Sequence, residues 1–186
     1  MARWAPGAAG RLQEAALDLY VAQGYEQTTV AEIAERAGVT ARTYFRHYAD
    51  KREVLFAGSS VVEDGMVAAV LEAPADLQPL EALGEALAWA GDLFGRDHDH
   101  SSRRQRVITE NPELLERELA KMARLAAALS GALVRRGVPS EQARLVAELG
   151  IAVFRVGFDR WAAGDGRGSL ADSLRDALEE LRGLVG

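Results

Sequence analysis

Apolar positions recur at helical spacing along nearly the whole chain. Leu12, Ala15, Ala16, Leu19 and Tyr20 stand at i, i+3, i+4, i+7 and i+8, the stripe of a helix that buries one face against a neighbour. The same periodicity predicts helices over 9–24, 29–37, 41–47, 51–72, 79–95, 101–110, 112–136, 140–164 and 169–184. Prolines punctuate this pattern: Pro74 and Pro79 bracket a short connection, Pro112 follows Asn111 as a first-turn proline follows its cap, and Pro139 precedes Ser140. No sheet is expected. The fold class is all-α, with about nine helices.

Near the N-terminus the pattern becomes more specific. Thr29 with Glu32 has the spacing of a capping box, in which the threonine hydroxyl accepts an amide of the first turn while the glutamate returns to the threonine's own amide. Val30, Ile33, Ala34 and Ala37 then share one face, and Gly38 supplies the left-handed residue that stops the helix. Val39 fills the space under the turn, and Thr40 caps a second short helix over 41–47. Asp50 with Glu53 caps the helix that follows. Two short helices joined by a glycine turn, the second exposed and basic, make a helix-turn-helix. A three-helix head over 1–50 is therefore expected, followed by a helical body over 51–186.

The stretch Thr28-Thr29-Val30-Ala31-Glu32-Ile33-Ala34-Glu35-Arg36-Ala37-Gly38-Val39-Thr40-Ala41-Arg42-Thr43-Tyr44-Phe45-Arg46-His47-Tyr48-Ala49-Asp50-Lys51 resembles the DNA-binding region of TetR-family transcriptional regulators. The resemblance rests on the paired threonines, the Ile-Ala and Ala-Gly-Val spacing, the aromatic-rich second helix and the lysine that follows. The stretch spans 24 of the 186 residues; beyond residue 56 only the helical layout is similar. The resemblance implies a dimeric regulator, in which ligand binding to the body shifts the fourth helix and changes the separation of two reading heads.

Each residue of the motif has a physical role to fill. Ala41, Arg42 and Thr43 open the helix that enters the major groove, and Arg42 has the geometry to bond guanine O6 and N7 bidentately. Arg46 and His47, one turn later, reach a base edge or a phosphate, and the resemblance favours phosphate for His47. Thr29, at a helix N-terminus where free amides attract anions, is expected to hold a phosphate with Thr40 and Lys51. Tyr44 either contacts phosphate or packs against the first helix. Phe45 stands where the family often has a tyrosine, so a phosphate bond from that hydroxyl is lost.

In the body, Ala147, Ile151, Phe154, Phe158 and Trp161 recur at four- and three-residue steps, and Leu170, Leu174, Leu178, Leu181 and Leu184 answer them. This seam serves either intrachain packing or, by resemblance, a four-helix dimer interface through Ile151, Phe154, Phe158, Trp161, Leu174, Leu178 and Leu181. A two-fold dimer makes the target a palindromic operator in double-stranded DNA. Met66, Leu87, Trp89, Phe94, Val107, Leu115, Met122 and Leu129 line the central helices, where they form either ordinary core or an apolar pocket for a small-molecule effector. The pocket candidates are Met66, Trp89, Phe94, Val107, Leu115 and Met122.

Charge at first argues against a polyanionic partner, since the chain carries −6 at pH 7. Residues 1–56, however, hold seven bases (Arg3, Arg11, Arg36, Arg42, Arg46, Lys51, Arg52) and seven acids (Glu14, Asp18, Glu26, Glu32, Glu35, Asp50, Glu53). The excess acid lies in the body, and four of the seven bases fall between 42 and 52. With no cysteine, disulfides, thiolate metal sites and cysteine nucleophiles are excluded. The segment 1–10 lacks a signal-peptide core, and no uncharged apolar run long enough for a bilayer is read, so a cytoplasmic protein without a membrane partner is expected. Asp97-His98-Asp99-His100 groups four ligating side chains, but adjacent residues do not converge easily on one ion, and a polar loop before a helix start at Ser101-Ser102 explains them; no metal or cofactor is expected. With three histidines, no nucleophile elbow and no phosphate-binding glycine loop, an enzyme is not expected. The alternative to a DNA-binding regulator is a dimeric helical interaction module.

Overall fold

In the computed structural model residues 7–185 are described, and among them the chain is all-helical: α1 (Ala8–Gln23), α2 (Val30–Arg36), α3 (Ala41–His47), a 3-10 turn (Glu53–Phe56), α4 (Ser59–Glu72), α5 (Pro79–Phe94), α6 (His98–Glu110), α7 (Pro112–Arg135), α8 (Ser140–Ala162) and α9 (Leu170–Val185). Arg3, counted among the bases of the head, lies outside the described residues. The helices form two compact units. The head comprises residues through Ala57 with Arg103–Glu118, and the body comprises Gly58–Ser102 with the chain from Leu119 onward.

The head closes around Leu12, Leu17, Ile33, Tyr44, Ile108 and Leu114, none of which keeps appreciable exposed surface. Full burial of each aliphatic side chain contributes about 1.5–3 kcal/mol. Val54, Leu55 and Phe56 are buried in the same core. The compact head therefore extends past residue 50 and takes in a second stretch of chain, which the sequence motif by itself does not mark. Arg103 paired with Asp18, Arg117 paired with Glu53 and the Arg104 bond to the Leu55 carbonyl tie that stretch in, while Arg104 and Glu118 pair within it.

The single helix expected over 51–72 is broken. Asp50 Oδ1 accepts the amides of Arg52 (2.8 Å) and Glu53 (3.2 Å) and so starts the 3-10 turn. Ala57 then goes extended and Gly58 turns left-handed at φ 83°, a conformation open to glycine at little cost, before α4 begins. The break bears on the apolar stretch Glu53–Glu72, which by length and composition is sufficient to cross a membrane. Its regular part, α4, has 14 residues and is about 21 Å long, against a hydrocarbon core of about 30 Å.

In the body, α5 lies against α4, α8 and α9, and α8 packs on α9. The approach of α5 to α9 requires Gly91, since a Cβ there would fall 2.7 Å from the Ala171 Cα. The proposed dimer seam is spent inside this unit. Ile151, Phe154, Phe158, Trp161, Leu174 and Leu178 keep only 1–8 % exposure, and Leu181 packs half-buried against the same core. The reason is α5, which covers the seam from within the same chain: its Phe94 ring lies 6.1 Å from Phe154 and 6.3 Å from Phe158. Leu145, Leu149, Ala152 and Val156 form the opposite, outward stripe of α8, with Leu145 and Val156 well exposed.

The start of α6 also differs from expectation. Asp97 Oδ1 accepts the His100 amide at 3.0 Å and the Asp97 carbonyl accepts the Ser101 amide, so the aspartate caps the helix and His98–His100 form its first turn instead of a loop. His98 stands edge-on to Trp161 at 4.7 Å, its Nε2 3.0 Å from the Trp161 carbonyl oxygen.

Candidate nucleic-acid interface

The site is α3 and what holds it. The capping box at Thr29 is complete: the Thr29 amide and hydroxyl both donate to Glu32 Oε2 at 2.8 Å, and the Glu32 amide donates to Thr29 Oγ1. Those hydrogen bonds, the one from the Thr29 amide first, hold the Glu32 carboxyl below its ordinary value. Thr29 is thus engaged with the carboxylate of its own capping box. At the other end of α2, the Val39 amide reaches back to the Ala34 carbonyl and that of Gly38 to Glu35, closing a Schellman-type turn around Gly38 at φ 68°.

Thr40 accepts the Thr43 amide and caps α3. One face of α3 is then locked. Tyr44 is fully buried and its hydroxyl donates to the Asp50 carbonyl at 2.9 Å, while Tyr48 is buried and donates to the Ala9 carbonyl. Burial pushes both phenols up from their ordinary values. Tyr44 is therefore a packing residue, and the phosphate alternative is withdrawn because its hydroxyl faces the protein.

The opposite face carries three parallel i, i+4 rows: Ala41 with Phe45, Arg42 with Arg46, and Thr43 with His47. All but the half-buried Thr43 are exposed. Among the described residues no hydrogen bond or ion pair engages the Arg42 or Arg46 side chain, whereas Arg36, Arg52, Arg103, Arg104 and Arg117 of the same unit each have a carboxylate partner. Two unpaired guanidinium groups, a turn apart on a rigid exposed helix, are arranged to meet an external polyanion.

Lys51 departs from expectation. Its ammonium donates to the carbonyls of Tyr25 (3.0 Å), Glu26 (3.3 Å) and Thr28 (3.5 Å), so its three protons are directed at the loop that leads into α2. It positions that loop, its protons committed to carbonyl oxygens. Sequence reasoning also missed Arg11, whose Nε donates to the Ala37 carbonyl at the end of α2, and Thr28, buried with its hydroxyl on the Gly24 carbonyl. The role of Arg11 has no local signature, because its partner lies on another helix 26 residues along the chain, whereas Thr28 bonds back four residues within its own loop.

The pocket candidates are divided. Val107 is buried in the core of the head and Leu115 lies half-buried in that unit, so only Met66, Trp89, Phe94 and Met122 share the body. Met66 is fully buried; the other three are half-buried against the body's core, and the Trp89 ring occupies the space that a Cβ at Gly65 would need.

A helical head presenting an unpaired cationic helix after a glycine turn, joined to a larger helical body, is the architecture of a helix-turn-helix regulator. Residues 12–57 match the family described as bacterial regulatory proteins, tetR family, and residues 77–185 match the MftR C-terminal domain. The HTH-type transcriptional regulator TcmR of Streptomyces glaucescens is 32% identical over 179 residues, spanning 90% of this chain and 79% of that protein. Among solved structures, the Thermus thermophilus repressor FadR in complex with lauroyl-CoA has a TM-score of 0.58 and 25% identity, covering 94% of this chain and 93% of that one. SmeT, repressor of a Stenotrophomonas maltophilia multidrug efflux pump, has a TM-score of 0.64 at 17% identity, covering 97% and 90%, and shares the fold. The chain belongs to the TetR family of transcriptional regulators and is not an enzyme.

Proposed function

We propose that the chain is a repressor that binds a palindromic operator as a homodimer through α3 and leaves it when a small apolar effector occupies the body. The observation that carries the DNA-reading half is the unpaired pair Arg42 and Arg46, exposed opposite the locked Tyr44 and Tyr48. Arg42 reads a guanine, Arg46 and His47 reach phosphate or the next base edge, Ala41 and Thr43 lie against the groove floor, and Thr40 lends its exposed cap hydroxyl to the backbone. Thr29 and Lys51 support α2 from behind.

Dimerisation runs through the outward stripe of α8, Leu145, Leu149, Ala152 and Val156, whose four-, three- and four-residue steps are those of a helix-pairing seam. The effector reading is supported by the half-buried apolar side chains Trp89, Phe94 and Met122, and by the lauroyl-CoA bound to the similar FadR of Thermus thermophilus. A cytoplasmic setting fits such a chain.

The test is selection of bound duplexes from a random-sequence DNA library by the full chain, followed by titration of the selected site with lauroyl-CoA. An inverted repeat with half-sites about one helical turn apart, and weaker binding when lauroyl-CoA is added, are expected. No enrichment of any sequence would sink the reading in favour of an interaction module.

A further inference from the structure

We propose that Phe45 reads sequence, by seating its ring against the 5-methyl group of a thymine in each half-site. The inference rests on the reading of α3 as the groove-entering helix.

Phe45 keeps 58 % of its surface exposed at the fifth position of a seven-residue helix. An exposed aromatic side chain of this size on an otherwise cationic and polar surface is apolar area waiting for a partner. The ring is not a loose appendage. It stands edge-on to Tyr44, with centroids 5.7 Å apart and planes at 80°, and Tyr44 is itself fixed by burial and by its bond to the Asp50 carbonyl. That contact restrains the Phe45 ring on one side before any partner arrives, which lowers the ordering cost of binding.

Charge decides what that partner is. The neighbouring row on the same helix is Arg42 and Arg46, both unpaired, with Ala41 extending the apolar row beside Phe45. A second copy of the head, or a protein partner with a purely apolar patch, would bring unneutralised guanidinium groups into the interface, and burying them unpaired is costly. The DNA major groove satisfies both rows together: phosphates and guanine edges answer the arginines, and thymine alone among the bases presents an apolar methyl group. Phe45 lacks the hydroxyl that would otherwise direct such a ring to phosphate, so what it has to offer is shape and apolar surface.

The experiment uses the full chain and the duplex it selects from a random library, with each thymine replaced in turn by deoxyuridine, which removes one methyl group and nothing else. Binding is measured by fluorescence anisotropy at fixed salt for the wild type, Phe45→Ser and Phe45→Tyr, with thermal melts to verify that the variants fold. Wild type is expected to lose roughly three- to fivefold affinity at one thymine per half-site, the worth of about one buried methyl group. Phe45→Ser should bind thymine and deoxyuridine sites alike, and Phe45→Tyr, whose restored hydroxyl draws the ring toward phosphate, should discriminate less than the wild type. Wild-type affinity unchanged by every deoxyuridine, or an equal loss in Phe45→Ser, overturns the inference while leaving DNA binding intact; failure to select any duplex overturns the DNA reading itself.

Discussion

The Lys51 ammonium lies 4.2 Å above the centre of the Tyr25 ring while donating to the Tyr25, Glu26 and Thr28 carbonyls. Tyr25 is buried, so this clamp fixes the loop from which α2 springs. Lys51→Met is expected to destabilise the head by about 1–3 kcal/mol, from charged hydrogen bonds and the cation–π contact together. DNA affinity should fall with it, but the slope of log affinity against log salt should not change. Urea melts and a salt titration check this; a slope smaller by about 0.9 would mean a phosphate contact instead.

Arg42 and Arg46 should separate cleanly. Arg42→Ala is expected to cost about 1–3 kcal/mol of operator binding and to relax the preference at one base position. Arg46→Ala, if its partner is phosphate, weakens all sequences alike and reduces the salt slope by about 1. Neither side chain has an intramolecular partner among the described residues, so melting temperatures should stay at the wild-type value. Binding to a panel of single-base operator variants measures both effects.

Asp18 gives the head an acid-side dependence. It accepts Arg36 at 2.8 Å and Arg103 at 2.5 Å. The Arg36 hydrogen bond, opposed by burial and reinforced by Arg103, holds its carboxyl below the ordinary 3.8. A carboxyl depressed on folding contributes stability in full above the unfolded value, and that contribution is lost as pH falls through the lower folded value. Unfolding free energy measured by urea melts between about pH 2 and 5 should therefore vary less steeply in Asp18→Asn than in the wild type. Equal slopes would show that the pair adds nothing.

Val156 sits at the C-terminal end of the exposed α8 stripe. Val156→Glu places a charge in the proposed dimer seam without touching the chain's own core. Sedimentation velocity should show the wild type at twice the chain mass and the variant as a monomer with unchanged helicity. A wild type that sediments as a monomer across micromolar concentrations would remove the dimer from the proposal.

Arg136, just past the end of α7, closes the end of α4, donating to the carbonyls of Val70 (3.1 Å), Ala73 (2.6 Å) and Pro74 (2.6 Å). These are carbonyls at and just beyond the helix end, some of which the helix itself leaves unpaired, and a cation there also opposes the dipole. Arg136→Leu should lower stability by about 1.5–3 kcal/mol, seen as a reduced urea midpoint.

The sequence by itself determined the helices, because helical periodicity, caps and stops are local. The bounds of α3 and α5 through α9 follow from spacing, proline and capping residues within a turn or so, and the capping box at Thr29, the glycine stop at Gly38 and the exposed Arg42 and Arg46 were all readable from a few neighbouring letters. Tertiary structure decided which apolar stripe faces which partner. The Ile151-to-Trp161 stripe has the same spacing whether it meets a second copy or its own α5, and only the placement of α5 shows that the chain's own core takes it. In the same way, Lys51 looks like a phosphate donor until the loop carbonyls are seen to take its protons. A hydrogen bond to a distant carbonyl leaves no periodic trace in the chain, whereas burial on one helical face does.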